Sequence, residues 1–191
     1  MEKQLIISVG REFGSGGHLI AEKLSERFGI KLYDNNLLLE VAEKHGGCAE
    51  SIQKYDETPI GAVIVYEDKI IARGRNKRET KKNSLCHAEI DAINKACKKM
   101  DAWRLSDCDL YVTLEPCPMC AGAIIQSRIK NVYFGAYDYK AGCAGTKTNL
   151  FSPGMFNHDV FVEGGHSEEK CVALLQDFFK NLRNRKKKNL P

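Results

Sequence analysis

His87-Ala88-Glu89 and, one strand's length later, Pro116-Cys117-Pro118-Met119-Cys120 carry the chemistry in this chain. An imidazole and two thiolates are the ligand types zinc prefers, and three protein ligands leave the fourth position open for water. A site of that composition lowers the pKa of its water to about 7 and so makes a nucleophile at neutral pH. Glu89 is not needed as a ligand, which leaves it free to move protons. A lone Cys-x-x-Cys could instead be a redox pair, and a Cys/Cys/His set could belong to a structural zinc site. Redox pairing does not account for His87-Ala88-Glu89. A structural site would normally have a fourth protein ligand, and the remaining candidates, His158 and His166, lack ligand spacing.

Two helices must position these groups. Residues 87–99 read as a helix with Ile90, Ile93, Ala96 and Cys97 on one face. Asp109-Leu110-Tyr111-Val112-Thr113-Leu114 is a strand leading into the cysteine motif, and Pro118 fits the first turn of a second helix. His87 and Cys117 then stand at helix N-termini, with Cys120 on the same face one turn on. Both helix dipoles favour thiolate there. Gly61-Ala62-Val63-Ile64-Val65 and Lys69-Ile70-Ile71-Ala72-Arg73 form a hairpin turning at Glu67-Asp68. Further strands are expected at 131–135 and 159–162. A closing helix over 168–182 has Val172, Leu175, Phe178, Phe179 and Leu182 as its apolar positions. Alternating strands and helices imply an α/β sandwich.

The first 58 residues are of another kind. A strand (Gln4-Leu5-Ile6-Ile7-Ser8-Val9), the loop Gly10-Arg11-Glu12-Phe13-Gly14-Ser15-Gly16-Gly17, a helical pattern and a short strand make one βαβ unit. Such a loop can cradle phosphate at a helix N-terminus, but Gly17 stands where a P-loop has lysine. The stretch resembles the start of the cytidylate kinase-like family and ends with Lys54-Tyr55-Asp56-Glu57. The base-binding region, lid and remaining sheet of such a kinase are missing. A domain boundary is therefore expected at 58, with segments 1–58 and 59–191.

Composition narrows the class. With 191 residues, 43% of them hydrophobic and 28% charged, the chain suits one soluble globular domain, or one domain with an attached piece. The net charge of +4 permits an anionic partner, and the cations concentrate in Lys180 and Arg183-Asn184-Arg185-Lys186-Lys187-Lys188. No apolar run is long enough to span a bilayer. Eight cysteines without an apolar leader point to a reducing, cytoplasmic setting in which the cysteines outside the motif are free thiols.

The pattern His-x-Glu … Pro-Cys-x-x-Cys, with a non-ligand glutamate as acid and base, is the signature of zinc nucleobase deaminases. From about Thr58 onward the chain resembles the bacterial tRNA adenosine deaminase family. The likeness covers Pro59-Ile60-Gly61-Ala62-Val63-Ile64-Val65, Gly74-Arg75-Asn76, His87-Ala88-Glu89-Ile90 and Leu114-Glu115-Pro116-Cys117-Pro118-Met119-Cys120-Ala121-Gly122-Ala123-Ile124. It continues through Phe134-Gly135-Ala136-Tyr137-Asp138, Phe156-Asn157-His158 and Phe178-Phe179.

The resemblance implies a cytidine deaminase-like three-layer α/β/α sandwich around a mixed sheet, here preceded by the partial P-loop-like βαβ segment. It implies one zinc per subunit on His87, Cys117 and Cys120, and hydrolytic deamination of the wobble adenosine of tRNA to inosine by a zinc-bound hydroxide with Glu89 as proton shuttle. Asn76 would hydrogen-bond the flipped purine, with Ile60 and Val63 near the pocket wall. Asp138, Asn157 and His158 would border the pocket, and Phe178, Phe179 and the basic tail would lie near the anticodon stem-loop. The family also implies a homodimer. No membrane and no other protein partner is expected.

Family members begin with an amphipathic helix just before the Pro-Ile-Gly strand. Here residues 37–44 or 49–55 would have to fill its groove. Two other readings compete. One is a free-base guanine or cytosine deaminase with the same metal motif; the other, of a different class, is a nucleotide-binding module working through the glycine loop.

Overall fold

The computed structural model describes residues 56–188, together with Lys23 and Arg27, both helical and exposed. The chain divides into two compact units, Met1–Asp34 and Asn35–Pro191. The expected βαβ segment with its glycine loop, and the helices expected at 37–44 and 49–55, lie outside the described residues.

Strand β1 (Gly61–Tyr66) turns through Glu67 and Asp68, both with positive φ, into β2 (Lys69–Arg75). That is the pair of left-handed residues a tight hairpin needs to match strand twist. A four-residue helix, α1 (Arg78–Lys81), precedes α2 (Ala88–Met100). The order then runs β3 (Cys108–Leu114), α3 (Pro118–Gln126), β4 (Asn131–Ala136), β5 (Phe161–Glu163) and α4 (Glu168–Lys188). The five strands form one mixed sheet in the order β2-β1-β3-β4-β5. β1 is antiparallel to both β2 and β3, whereas β3, β4 and β5 run parallel.

Strand alternation divides the core between the two faces of the sheet. Ala62, Ile64, Leu110, Val112, Val132 and Phe134 face α2 and α3 and pack with Ala92, Ile93, Ala96, Ala121 and Ile124. The intervening residues Val63, Val65, Ile70 and Tyr111 form a separate cluster on the other face. α4 packs against β4 with Cys171 over Gly135, where any Cβ would run into the Cys171 sulfur. Helices thus lie on both faces, the three-layer arrangement expected.

α2 approaches the hairpin closely because position 74 is glycine. A Cβ there would collide with the Ala88 carbonyl and the Ala92 backbone. Small residues along α2 (Ala88, Ala92, Ala96, all fully buried) complete that fit. This contact fixes the N-terminus of α2 against the end of β2, and so fixes His87.

Three departures from the expected elements have local causes. The last strand is Phe161–Glu163, later than 159–162, because Asp159 instead accepts the Gly154 N–H at 2.8 Å. α1 had no periodic signal, being too short to show one. α4 buries Cys171 and Phe178 with Leu174 and Leu182 half-buried, so Phe179 falls off the stripe and is exposed.

Candidate metal centre and its surroundings

His87 and Cys117 occupy the N-cap positions of α2 and α3 in extended backbone conformation, at φ −81°, ψ 160° and φ −76°, ψ 171°. An N-cap side chain ordinarily turns back to accept a helix N–H. Neither does so here, which leaves imidazole and thiol directed beyond the helix ends. Pro118 at the first position of α3 costs no hydrogen bond, since that N–H has no helical partner.

The side chains converge. His87 Nδ1 lies 3.6 Å from Cys117 Sγ and 3.5 Å from Cys120 Sγ, and the three ligand atoms all fall within 4.8 Å of one another. Zinc–nitrogen and zinc–sulfur bonds of about 2.05 and 2.3 Å at a tetrahedral angle put N and S about 3.6 Å apart. The nitrogen–sulfur spacings are already those of ligands around one ion. Charge is arranged to match. Cys117 is pulled down to about 4, first by the thiol of Cys120 and then by His87. Cys120 is pushed up, first by that same contact with Cys117 and then by burial. His87 is raised, chiefly by its hydrogen bond to Cys117. The Cys120 thiol thus holds a proton that a bound cation would displace, while Cys117 is already favoured as the thiolate.

Glu89, in the first turn of α2, is 4% exposed. Burial pushes its carboxyl above the usual range, against the opposing pull of its own backbone amide. A carboxyl raised in this way keeps a proton more readily than a solvated one, which suits a group that takes up and returns protons.

Two further buried carboxylates frame the trio. Glu115, 2% exposed, precedes Pro116-Cys117. It accepts the N–H groups of Asp138 (3.0 Å), Ala144 (2.8 Å) and Thr146 (3.2 Å), and the Thr146 hydroxyl. Residues 138–146 are thereby tied to the cysteine motif, and Cys143 N–H adds a bond to the Pro116 carbonyl at 2.9 Å. Position 142 must be glycine because a Cβ there would strike the Glu115 carboxylate. On the other side, Glu57 accepts the Asn76 amide at 2.7 Å. Asn76 N–H donates to Ile60 O at 3.0 Å, and Lys77 N–H to Cys86 O at 2.9 Å, one residue before His87.

A family model for MafB19-like deaminases matches residues 39–183. The chain belongs to this deaminase family. The deaminase is 50% identical over 139 residues to a tRNA-specific adenosine deaminase of Bacillus subtilis (strain 168), covering 73% of this chain and 86% of that protein. It also resembles a solved structure from work on A-to-I editing by tRNA:A34 deaminases at the wobble position, with TM-score 0.67 and 38% identity. That match covers 73% of this chain and 99% of the other. A Bacillus subtilis guanine deaminase structure matches at TM-score 0.50 and 40% identity, over 56% of this chain and 66% of that one.

The other expected site residues of the deaminase scatter. Asn76 is buried beside the ligand helix, and Ile60 packs against the core cluster beneath it. Val63 is fully buried on the opposite face of the sheet from α2 and α3, because its side chain alternates with those of Ala62 and Ile64. Asp138 Oδ1 accepts the N–H groups of Lys140 (2.9 Å) and Ala141 (3.2 Å) within its own turn. Asn157 Oδ1 accepts from Arg128 at 2.9 Å, and the His158 ring bonds the Ile129 carbonyl at 2.8 Å. Phe178 is buried, whereas Phe179 is 43% exposed.

Glu57 and Glu115 were missed as site residues. Their partners lie 19 to 31 positions away, beyond any local pattern. For Glu115 the available signal was an acid beside a proline at the end of an apolar strand; Glu57, followed by Thr58, offered none. All described cysteines are free thiols. Among the described residues, no helix is long and apolar enough to cross a membrane.

Proposed function

We propose that this deaminase converts adenosine to inosine at the wobble position of tRNA, with zinc held by His87, Cys117 and Cys120. The observation that carries the reading is the convergence of those three side chains beside a buried, non-ligand Glu89. Zinc, when bound, supplies the Lewis acidity that makes water nucleophilic near neutral pH. Water adds to C6 of the purine, the C6–N6 bond breaks, and the amine leaves as ammonia. Glu89 carries the proton from the water to ring N1 and delivers one to the departing amine. Asn76 hydrogen-bonds the base and Ile60 contributes to the wall beneath it.

At the rim, Asp138, Asn157 and His158 border the pocket through the backbone they stabilise, since their side chains are engaged in loop contacts. Phe179 and the cationic end of α4 face the anticodon stem-loop, where an exposed ring can stack on an unpaired base. The exposed Leu85, two residues before His87, and the exposed Phe156 supply apolar surface for a homodimer. The cytoplasm is where substrate and free thiols coincide.

The likeness to a guanine deaminase gives the second reading, a free-base deaminase. One assay separates them. The full-length, zinc-loaded protein is incubated with an anticodon stem-loop carrying a wobble adenosine, and in parallel with free guanine and cytosine. Inosine at that single position is the expected product. Turnover of a free base without conversion of the RNA would overturn the reading in favour of the second.

A further inference from the structure

Asn76 is 6% exposed, and its side-chain nitrogen donates to Glu57 Oε1 at 2.7 Å. Glu57 is itself 1% exposed. Its Oε2 serves α1, taking the Thr80 N–H at 3.0 Å and the Thr80 hydroxyl at 2.9 Å. Its Oε1 makes a long bond to the Glu79 N–H, 3.3 Å, and the short one to Asn76. A carboxylate accepts only, so the nitrogen end of the Asn76 amide is held toward Glu57. Half a turn of that amide would set its carbonyl oxygen against the carboxylate.

We propose that Glu57 is a positioning residue for base recognition: it fixes the nitrogen end of Asn76, so that the second hydrogen on that nitrogen is presented to a ring nitrogen of the purine. The proposal rests on the assignment of Asn76 to the base in the preceding section. Adenine N7 and N3 are acceptors, so a contact from Asn76 to either must be donated by its nitrogen. A reversed amide would place oxygen against a lone pair. A bare helix cap would need only the Glu79 and Thr80 contacts; the shortest bond to the Glu57 carboxylate is the one from Asn76.

The test uses full-length, zinc-loaded protein and stem-loop RNAs bearing adenosine, 7-deazaadenosine or 3-deazaadenosine at the wobble position. The quantity read is the ratio of kcat/KM for adenosine to that for each analogue, compared between variants so that intrinsic reactivity cancels. Glu57→Gln can offer its own N–H₂ to the Asn76 oxygen and so lets the amide reverse. It is expected to lose roughly tenfold in kcat/KM on adenosine, the worth of one hydrogen bond. Its adenosine-to-analogue ratio should fall by the same factor for one of the two analogues. Thr80→Val removes only the hydroxyl from the other carboxylate oxygen and should keep the wild-type ratios.

An unchanged ratio in Glu57→Gln overturns the proposal. So does a collapsed ratio in Thr80→Val, which would mean that the carboxylate acts through α1; this arm decides the matter even if Glu57→Gln does not fold. Failure of the wild-type protein to make inosine from the adenosine RNA would overturn the underlying function instead.

Discussion

The floor and the rim of this site are built by opposite means. On the floor, His87, Cys117 and Cys120 stand at the ends of two helices, cap no helix N–H, and converge to ligand distance. At the proposed rim, Asp138 is bonded within its own turn, and Asn157 and His158 are bonded to Arg128 and to the Ile129 carbonyl. Floor residues are held from behind by packed helices and meet only one another at the tip. Rim residues spend their polar atoms on shaping backbone. Polarity near a pocket is therefore a poor guide to chemistry, and what matters is whether a side chain's bonds serve a neighbouring functional group or only shape the backbone.

That contrast can be broken most severely at the floor. Glu89→Ala is expected to lower kcat for inosine formation by about 10²–10⁴-fold while zinc content, read by atomic emission, stays at one per chain. His87→Ala should lose the metal as well, so equal zinc in both variants would show that the histidine is no ligand. A second cut separates two adjacent aromatics. Phe178→Ala should cost about 3–5 kcal/mol in urea unfolding, as a buried ring does, and Phe179→Ala less than about 0.5 kcal/mol. If both destabilise alike, Phe179 is core and the RNA-facing role assigned to it fails.

Glu115 tests whether the rim depends on the floor. Removing its carboxylate leaves several buried donors unpaired, so Glu115→Ala should cost about 2–4 kcal/mol and loosen residues 138–146. Hydrogen exchange of the Ala144 and Thr146 amides would register the loosening. Unaltered protection there would mean that Glu115 does not organise the loop. The smallest effect is expected at Asn157→Ala, which should change kcat less than about threefold because only a bond to Arg128 is lost. A drop beyond tenfold in kcat would place Asn157 on the substrate and erase the contrast between floor and rim.

How much of this was legible in sequence follows from distance along the chain. The convergence of His87, Cys117 and Cys120 was, because a His-x-Glu and a Cys-x-x-Cys are local patterns that need only a helix start beneath them. The hairpin turn at Glu67-Asp68 and the helices opening at His87 and Pro118 were legible for the same reason. The roles of Glu57 and Glu115 were not, since nothing nearby announces that their donors sit 19 to 31 residues off. Val63 shows a different limit. Its neighbours Ala62 and Ile64 are equally apolar, and in a strand covered on both faces the alternation that separates them cannot be seen in composition. Phe178 and Phe179 show the converse, since a helix stripe admits one of two adjacent rings and the pattern alone does not say which.

One ion pair reaches beyond the site. Asp56 and Arg185 meet at 2.7 Å, joining the chain just ahead of β1 to the last turns of α4. The segment entering β1 and the end of α4 therefore meet at one spot. A fold whose two ends coincide can be joined to foreign sequence, or spliced into it, with little disturbance to what lies between. The ion pair also sets a practical limit on trimming: a shortened version that starts after Asp56 would leave Arg185 without this partner and open the seam.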